Sequence, residues 1–218
     1  IDSGAIWMGR GSFFSFNGAV SPLLSDVSDY VFSDINMDQA AKIFAGTNSL
    51  FREIWFFYPS ASSTEIDRYV TYNYVERTWS IGQLSRTCWA DAGVIPHPVA
   101  ASSAGYVYEH ESGWTNDGTP ITTGRFLVSG PTEIATGNNI LYARQVIPDE
   151  RSAGQVELRF TSQFTPEGQT YSYGPYTLQP YTDVRLSGRQ IAMKIEGTAD
   201  ADWRIGTIRL EGMGGGAR

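Results

Sequence analysis

The chain has 218 residues, one cysteine, two histidines and a formal net charge of −7. That length holds one large β domain or two smaller ones. A single thiol excludes an intrachain disulfide, no run reaches the roughly 18 apolar residues of a membrane span, and the acidic balance argues against gripping nucleic acid through its phosphates.

The acidity is uneven. Residues 1–123 carry 13 acids against 6 bases, and residues 124–218 carry 10 of each. Only Lys42 and Lys194 of the 16 basic residues are lysines. Arginine suits forked, planar ion pairs at interfaces. The chain opens at Ile1 with no basic-then-apolar leader and is expected to be the later part of a longer protein.

In chain order, Ala5-Ile-Trp-Met-Gly reads as a short strand, and Ser12-Phe-Phe-Ser-Phe as a second one turning at Asn17-Gly18, a strong hairpin dipeptide. Ser21-Pro22 is expected to end this group. Residues 33–48 predict the one short helix, capped by Asp34 or Asn36 and ended by Gly46 and Asn48. Residues 50–83 form the centre: two aromatic, β-branched runs flank a serine-rich loop at 60–65, and Trp79 begins a third strand after a tight turn at 75–78. Antiparallel strands ending in Trp-Ser-x-Gly suggest a β-propeller blade. Residues 86–91 and 104–113 predict strands that begin a further blade. Cys88, beside Trp89, is expected to be a small buried hydrophobe.

Beyond residue 123 the strands are more evenly spaced: 125–128, 140–147, 154–161, 176–178, 190–197 and 203–210. Val156, Leu158 and Phe160 alternate with Glu157 and Arg159, and Ile191, Met193 and Ile195 with Ala192 and Lys194. This pattern predicts a β-sandwich. The tail from Gly212 is expected to be flexible. The fold expectation is therefore all-β: an incomplete propeller-like domain at 1–123 followed by a sandwich-like domain at 124–218.

No catalytic, cofactor-binding or metal residue is assigned. His97 and His110 lack a nucleophile elbow, and on a strand His110 faces away from Glu109 and Glu111. The run Asp34-Ile-Asn-Met-Asp38 resembles the start of a calcium loop but has Gln39 and Ala45 where glycine and glutamate are needed. Glu53, Asp67, Glu76, Asp91 and Glu109 are candidates by type for a glycosidase carboxylate pair, and Trp114 for a sugar platform.

Seven segments carry a family likeness: Ile6-Trp-Met-Gly, Phe14-Ser-Phe-Asn-Gly, Asp29-Tyr-Val-Phe-Ser-Asp-Ile-Asn, Glu53-Ile-Trp-Phe-Phe-Tyr-Pro, Asp67-Arg-Tyr-Val-Thr-Tyr-Asn-Tyr, Trp79-Ser-Ile-Gly and Arg86-Thr-Cys-Trp-Ala-Asp. Gly188-Arg-Gln-Ile and Asp202-Trp-Arg-Ile-Gly add to them near the end. The chain resembles the C-terminal half of the tail nozzle, or packaged-DNA stabilisation, proteins of short-tailed bacteriophages. The resemblance implies a non-enzymatic virion protein of the tail, without cofactor, forming a hexameric ring. That ring would meet an adaptor or portal above and a needle, tailspike or fibre beside it, closing the channel after packaging and passing duplex DNA at ejection. An acidic wall repels phosphate, so Asp26, Asp29, Asp34, Asp38, Glu65 and Asp67 are expected to face a lumen. Ring contacts are expected to be head to tail and rich in arginine and aromatics, with the 60–65 loop free to touch a partner. The alternative is a carbohydrate-binding or glycoside-active propeller module.

Overall fold

The computed structural model describes residues 4–134, 137–149 and 155–216. The chain is all-β, half strand and 6% helix, and its sheets are not closed into a barrel. It divides into two compact units, Ile1–Ser112 and Gly113–Arg218. The division falls at 112/113, and a hairpin of β11 (Thr115–Asn116) and β12 (Thr119–Pro120) opens the second unit.

The first unit is built from three antiparallel meanders: β1 (Ala5–Met8), β2 (Phe13–Phe16) and β3 (Val20–Leu23); β4 (Phe44–Asn48), β5 (Glu53–Tyr58), β6 (Arg68–Asn73) and β7 (Thr78–Gln83); and β8 (Cys88–Ala90), β9 (Val99–Ala101) and β10 (Val107–Glu109). The middle sheet is covered on both faces, which explains the unbroken apolar run of β5. Ile54, Phe56 and Tyr58 pack with Phe13 and Val31 on one side. Trp55 and Phe57 pack with Ile66, Tyr69 and Trp89 on the other. Successive up-and-down sheets stacked through aromatic layers are the connectivity of propeller blades.

Turn chemistry sets the registers. Gly18 has φ 85 in the first hairpin. Asn73 Oδ1 accepts the Val75 and Glu76 N–H groups at 3.0 and 2.9 Å, and the turn closes with Arg77 at φ 58. Pro22 is tolerated within β3 because that strand is an edge.

The single helix expected over 33–48 is not formed. A helix, α1, runs earlier (Ser28–Asp34), a 3-10 helix spans Met37–Lys42 with a kink at Gln39, and Phe44 already belongs to β4. Tertiary pairing overrides propensity here. Ile35 bridges Ser60, the Asn36 side chain accepts the Asp38 N–H and donates to Ser63 O, and the Phe44 ring stacks on Phe57 at 4.7 Å.

Besides the β11–β12 hairpin, the described residues of the second unit form two sheets. One has the order β13 (Phe126–Val128), β19 (Gln190–Gly197), β16 (Val156–Gln163), β17 (Tyr171–Thr177), with β14 (Thr132–Glu133) also on β19. The other is β18 (Thr182–Gly188), β15 (Ile140–Pro148), β20 (Ile208–Gly215). Their inner faces share one core of Val146, Val156, Leu158, Phe160, Leu178, Val184, Leu186 and Ile195, as a sandwich requires. The alternation expected in β16 and β19 is present, with Met193 at the core margin. β9, β11, β12, β14 and β18 were not foreseen, and the strand expected over 203–210 begins only at Ile208. The tail expected to be flexible is paired instead: Gly212, Gly214 and Gly215 lie opposite Ala143, Leu141 and Ile140 in β20. Gly154, expected to begin a strand, and the last two tail residues lie outside the described residues.

Candidate functional site

The polar end of the middle sheet gathers the most chemistry. β4 and β5 pair so that Asn48 lies opposite Glu53, on one face. The Asn48 side chain is fully buried, and its Nδ2 donates to Glu111 Oε1 at 3.0 Å. Glu111 follows β10 with φ 59, a left-handed conformation unusual for glutamate. Glu53 Oε2 accepts the Trp55 indole N–H at 2.9 Å. Burial raises the Glu53 carboxyl above the ordinary range, against the Trp55 hydrogen bond, and the neighbouring Glu111 adds to the rise. Burial likewise raises Glu111, against the Asn48 hydrogen bond and nearby His97. Tyr69 is raised by burial and by both carboxylates. Among the described residues, two buried atoms in this neighbourhood lack a hydrogen-bond partner, Asn48 Oδ1 and His97 Nδ1.

Asp91 has a different task. It accepts Thr47 Oγ1 at 2.8 Å, the Ser49 N–H at 3.0 Å and the Ala92 N–H at 2.7 Å. Burial pushes its carboxyl up, but these hydrogen bonds outweigh that and hold it below the ordinary range. It staples the end of β4 to the residues after β8. Asp91 is the titratable residue in an open cleft of about 450 Å³ lined by Ile6, Ala45, Gly46, Ile54 and Trp89.

His110, expected on a strand, lies just past the end of β10 and meets Arg86. The buried Arg86 donates through Nε to His110 Nε2 at 2.9 Å and through an Nη to Ser85 O, and its guanidinium lies 4.2 Å from the Tyr108 ring centre. An Nε2 that accepts from arginine belongs to a neutral imidazole. Burial, with Arg86 beside it, lowers the His110 pKa to about 4 from an ordinary 6.5. The unfolded chain therefore binds the extra proton first. Stability contributed by neutral His110 is full above the ordinary value and falls as pH drops through the window between 6.5 and about 4. With water's access to the half-buried ring allowed for, the loss is on the order of 1–2 kcal/mol. The raised Glu53 and Glu111 act in the opposite sense. The test is therefore the difference between wild type and His110→Gln in urea midpoints at pH 7 and pH 4.5: the variant is expected to lose less on acidification, and an equal loss overturns the assignment.

The other sequence candidates are dispersed. Asp67 accepts the Ser60 N–H and Oγ at 2.7 and 2.8 Å and pairs with Arg68, which also reaches Asp34 at 3.5 Å. Glu65 pairs with Lys42. Glu109 sits 4.0 Å from His97 Nε2. Glu76 lies exposed at the β6–β7 turn, and Trp114 is exposed next to β11. Of the acids expected to face a lumen, Asp34, Glu65 and Asp67 are thus engaged within the unit, and Asp26, Asp29 and Asp38 remain exposed without an ion pair among the described residues. Cys88 is exposed, not buried: β8 alternates, and Trp89 takes the inward position. In the 60–65 loop Ser60 is buried while Ala61, Ser62, Thr64 and Glu65 are exposed. Among the described residues no group of three or more His, Cys, Asp or Glu could hold a metal. Glu111 as the neighbour of Glu53, and Asn48 between them, escaped the sequence reading, since only the β4–β5 register and the turn of chain after β10 bring them together.

The second unit offers an exposed surface. On the outer face of the β18–β15–β20 sheet, Tyr142 is 46% and Met213 54% exposed and directly opposite each other. A bulge puts Arg144 opposite the step from Val184 to Arg185, and both arginines are exposed with no ion pair among the described residues. At the edge of the other sheet, Phe126, Leu127 and Val128 are all exposed.

A scan against protein-family models finds no match, and a search of the curated proteins finds none either.

Proposed function

We propose that the chain is a structural subunit of the tail of a short-tailed bacteriophage, a nozzle component that forms a ring of about six copies, closes the DNA channel after packaging and conducts DNA at ejection. The reading rests on the family resemblance, and the observation that carries it structurally is the outer face of β18–β15–β20. Two like charges at neighbouring positions across strands repel, and the apolar surface of Tyr142 and Met213 beside them stays wet, unless another surface covers them. The partner is the next copy in the ring. The first unit carries 12 acids and 6 bases, a net −6, and the second 11 and 10, a net −1. Asp26 and Asp29, expected from the sequence to face a lumen, are assigned instead to the ring contact, where with exposed Leu24 and Tyr30 they supply the complementary acidic and apolar surface for a head-to-tail contact. Asp38 and the remaining acidic surface suit a wall past which phosphate slides without sticking. Adaptor or portal, needle, tailspike and fibre contacts belong to the same reading.

No catalysis is assigned. A glycoside-active reading would place its carboxylate pair at Glu53 and Glu111, but the aromatic rings there, Trp55 and Tyr69, are stacked on each other at 4.5 Å inside the core.

Electron microscopy and native mass of the particle-derived protein should give a ring of about six copies in the tail. The double variant Arg144→Glu/Arg185→Glu should lower assembly at least tenfold while shifting monomer stability within about 0.5 kcal/mol, as surface changes do. A monomer in the particle, or full assembly of the double variant, overturns the reading.

A further inference from the structure

We infer that the first unit associates head to tail with a second copy of the chain, the outer face of its β1–β2–β3 sheet packing on the outer face of that copy's β8–β9–β10 sheet. The two faces lie at opposite ends of one stack. Phe13, Ile6, Met8 and Leu23 of the first sheet pack on one side of the middle sheet, and Trp89 of β8 packs on the other. The stack leaves one apolar face over at each end.

Register fixes the composition of both. On β1–β2–β3 the outward rows are Ala5–Phe16–Val20 and Trp7–Phe14–Pro22. Neither row contains a polar side chain, and Phe16 and Val20 are 43% and 63% exposed. The Trp7 and Phe14 rings already stack on each other at 5.8 Å. On β8–β9–β10 the outward rows are Cys88–Ala101–Val107 and Ala90–Val99–Glu109. Val107 is 70% exposed, and Cys88 and Ala90 are exposed beside it.

An antiparallel sheet that faces water on one side carries polar residues there, so rows of bare apolar side chains mark a contact surface. The layers within the unit show what covers such a face. It is another antiparallel sheet, as where Phe13 meets Phe56 and where Trp55 stacks on Trp89. A second copy presents that sheet. The small side chains of Cys88, Ala90 and Ala101 leave room for the bulkier Trp7, Phe14 and Phe16, as a close-packed contact requires. Charge agrees with shape. Glu109 is the one acid in the β8–β9–β10 rows, with His97 4.0 Å away. Arg10, in the turn after β1, is exposed and makes no ion pair among the described residues. Two different, complementary faces on one molecule give heterologous association, which continues from copy to copy until it closes. The inference goes beyond the ring reading, because it fixes which faces meet and holds for any copy number.

The test is sedimentation velocity of the whole chain over about a hundredfold range of concentration. The variants are Val20→Glu, Val107→Glu and, as a control on the exposed β6–β7 turn, Val75→Glu. Wild type is expected to associate as concentration rises. Val20→Glu and Val107→Glu should each weaken association at least tenfold, and the control should leave it unchanged. Mixed together, the two face variants should form a one-to-one pair, because each keeps the face that the other has lost. Should either fail to fold, Pro22→Glu replaces Val20→Glu and Ala90→Glu replaces Val107→Glu. A wild type that stays monomeric throughout overturns the inference. So does a loss confined to one face variant, which assigns that face to a different protein, or a mixture that does not pair. Association that stops at two copies fails the six-copy ring and keeps this pairing; a six-copy ring untouched by both face variants does the reverse.

Discussion

Phe13→Ala is expected to destabilise the first unit by about 3–5 kcal/mol, a large part of the roughly 5–15 kcal/mol that holds a typical domain together. Phe13 is 0% exposed. Its ring centre lies 4.4 Å from Trp79, 5.2 Å from Phe32 and 5.5 Å from Phe56. One side chain of β2 thus touches α1 and two strands of the middle sheet. Truncation removes transfer energy, three aromatic contacts and the filling of a space that these rings cannot close by small shifts. Phe16, on the same strand but 43% exposed, is the internal control, and Phe16→Ala should lie within about 0.5–1 kcal/mol of wild type. Urea titration followed by tryptophan fluorescence checks both. Equal losses in the two variants would mean that the β1–β2–β3 sheet is not anchored through Phe13.

The contrast between Phe13 and Phe16 also shows what the sequence could and could not convey. Both belong to Phe-Phe-Ser-Phe, and alternation separates Phe13 from Phe14 without saying which face is buried. Where a strand is covered on one face, as in Val156, Leu158 and Phe160, the pattern named the inward residues directly. Where it is covered on both, as in β5, composition marked a strand but suggested a half-buried surface, and could not divide Ile54, Phe56 and Tyr58 from Trp55 and Phe57 between two cores. Local propensity misled at residues 33–48 because the stack of Phe44 on Phe57 is a long-range contact. Gly-rich composition misled at the tail because ladder pairing with β15 needs no side chains. The site was legible only in part. Glu53 was visible as a carboxylate by type, but its neighbour Glu111 is 58 positions away, joined through Asn48 by register and a turn that no short motif encodes.

The same dependence on distant partners hides the structural role of Gly46 from the sequence, and substitution there should be nearly as damaging as loss of a core ring. A Cβ on Gly46 would lie 2.4 Å from Trp89 Cδ1, well inside contact distance. The indole is held in that space by three separate contacts. It stacks on Trp55 at 5.0 Å, tilts against Phe57 at 5.6 Å and donates from Nε1 to Thr47 O at 2.7 Å. Gly46→Val therefore has to displace the ring that joins β8 to the middle sheet, with an expected loss of about 2–4 kcal/mol, at or above the upper end of ordinary overpacking. Trp89→Ala alone should cost about 3–5 kcal/mol through the cavity it leaves. If the two residues compete for one space, the double variant fills part of that cavity with the valine methyls. Its loss should then fall short of the sum of the singles by about 1–3 kcal/mol. Thermal or urea unfolding of the four proteins closes the cycle. Additive losses would show that Gly46 is tolerated for its backbone and not for the ring above it, and would remove Trp89 as the pin between the two sheets.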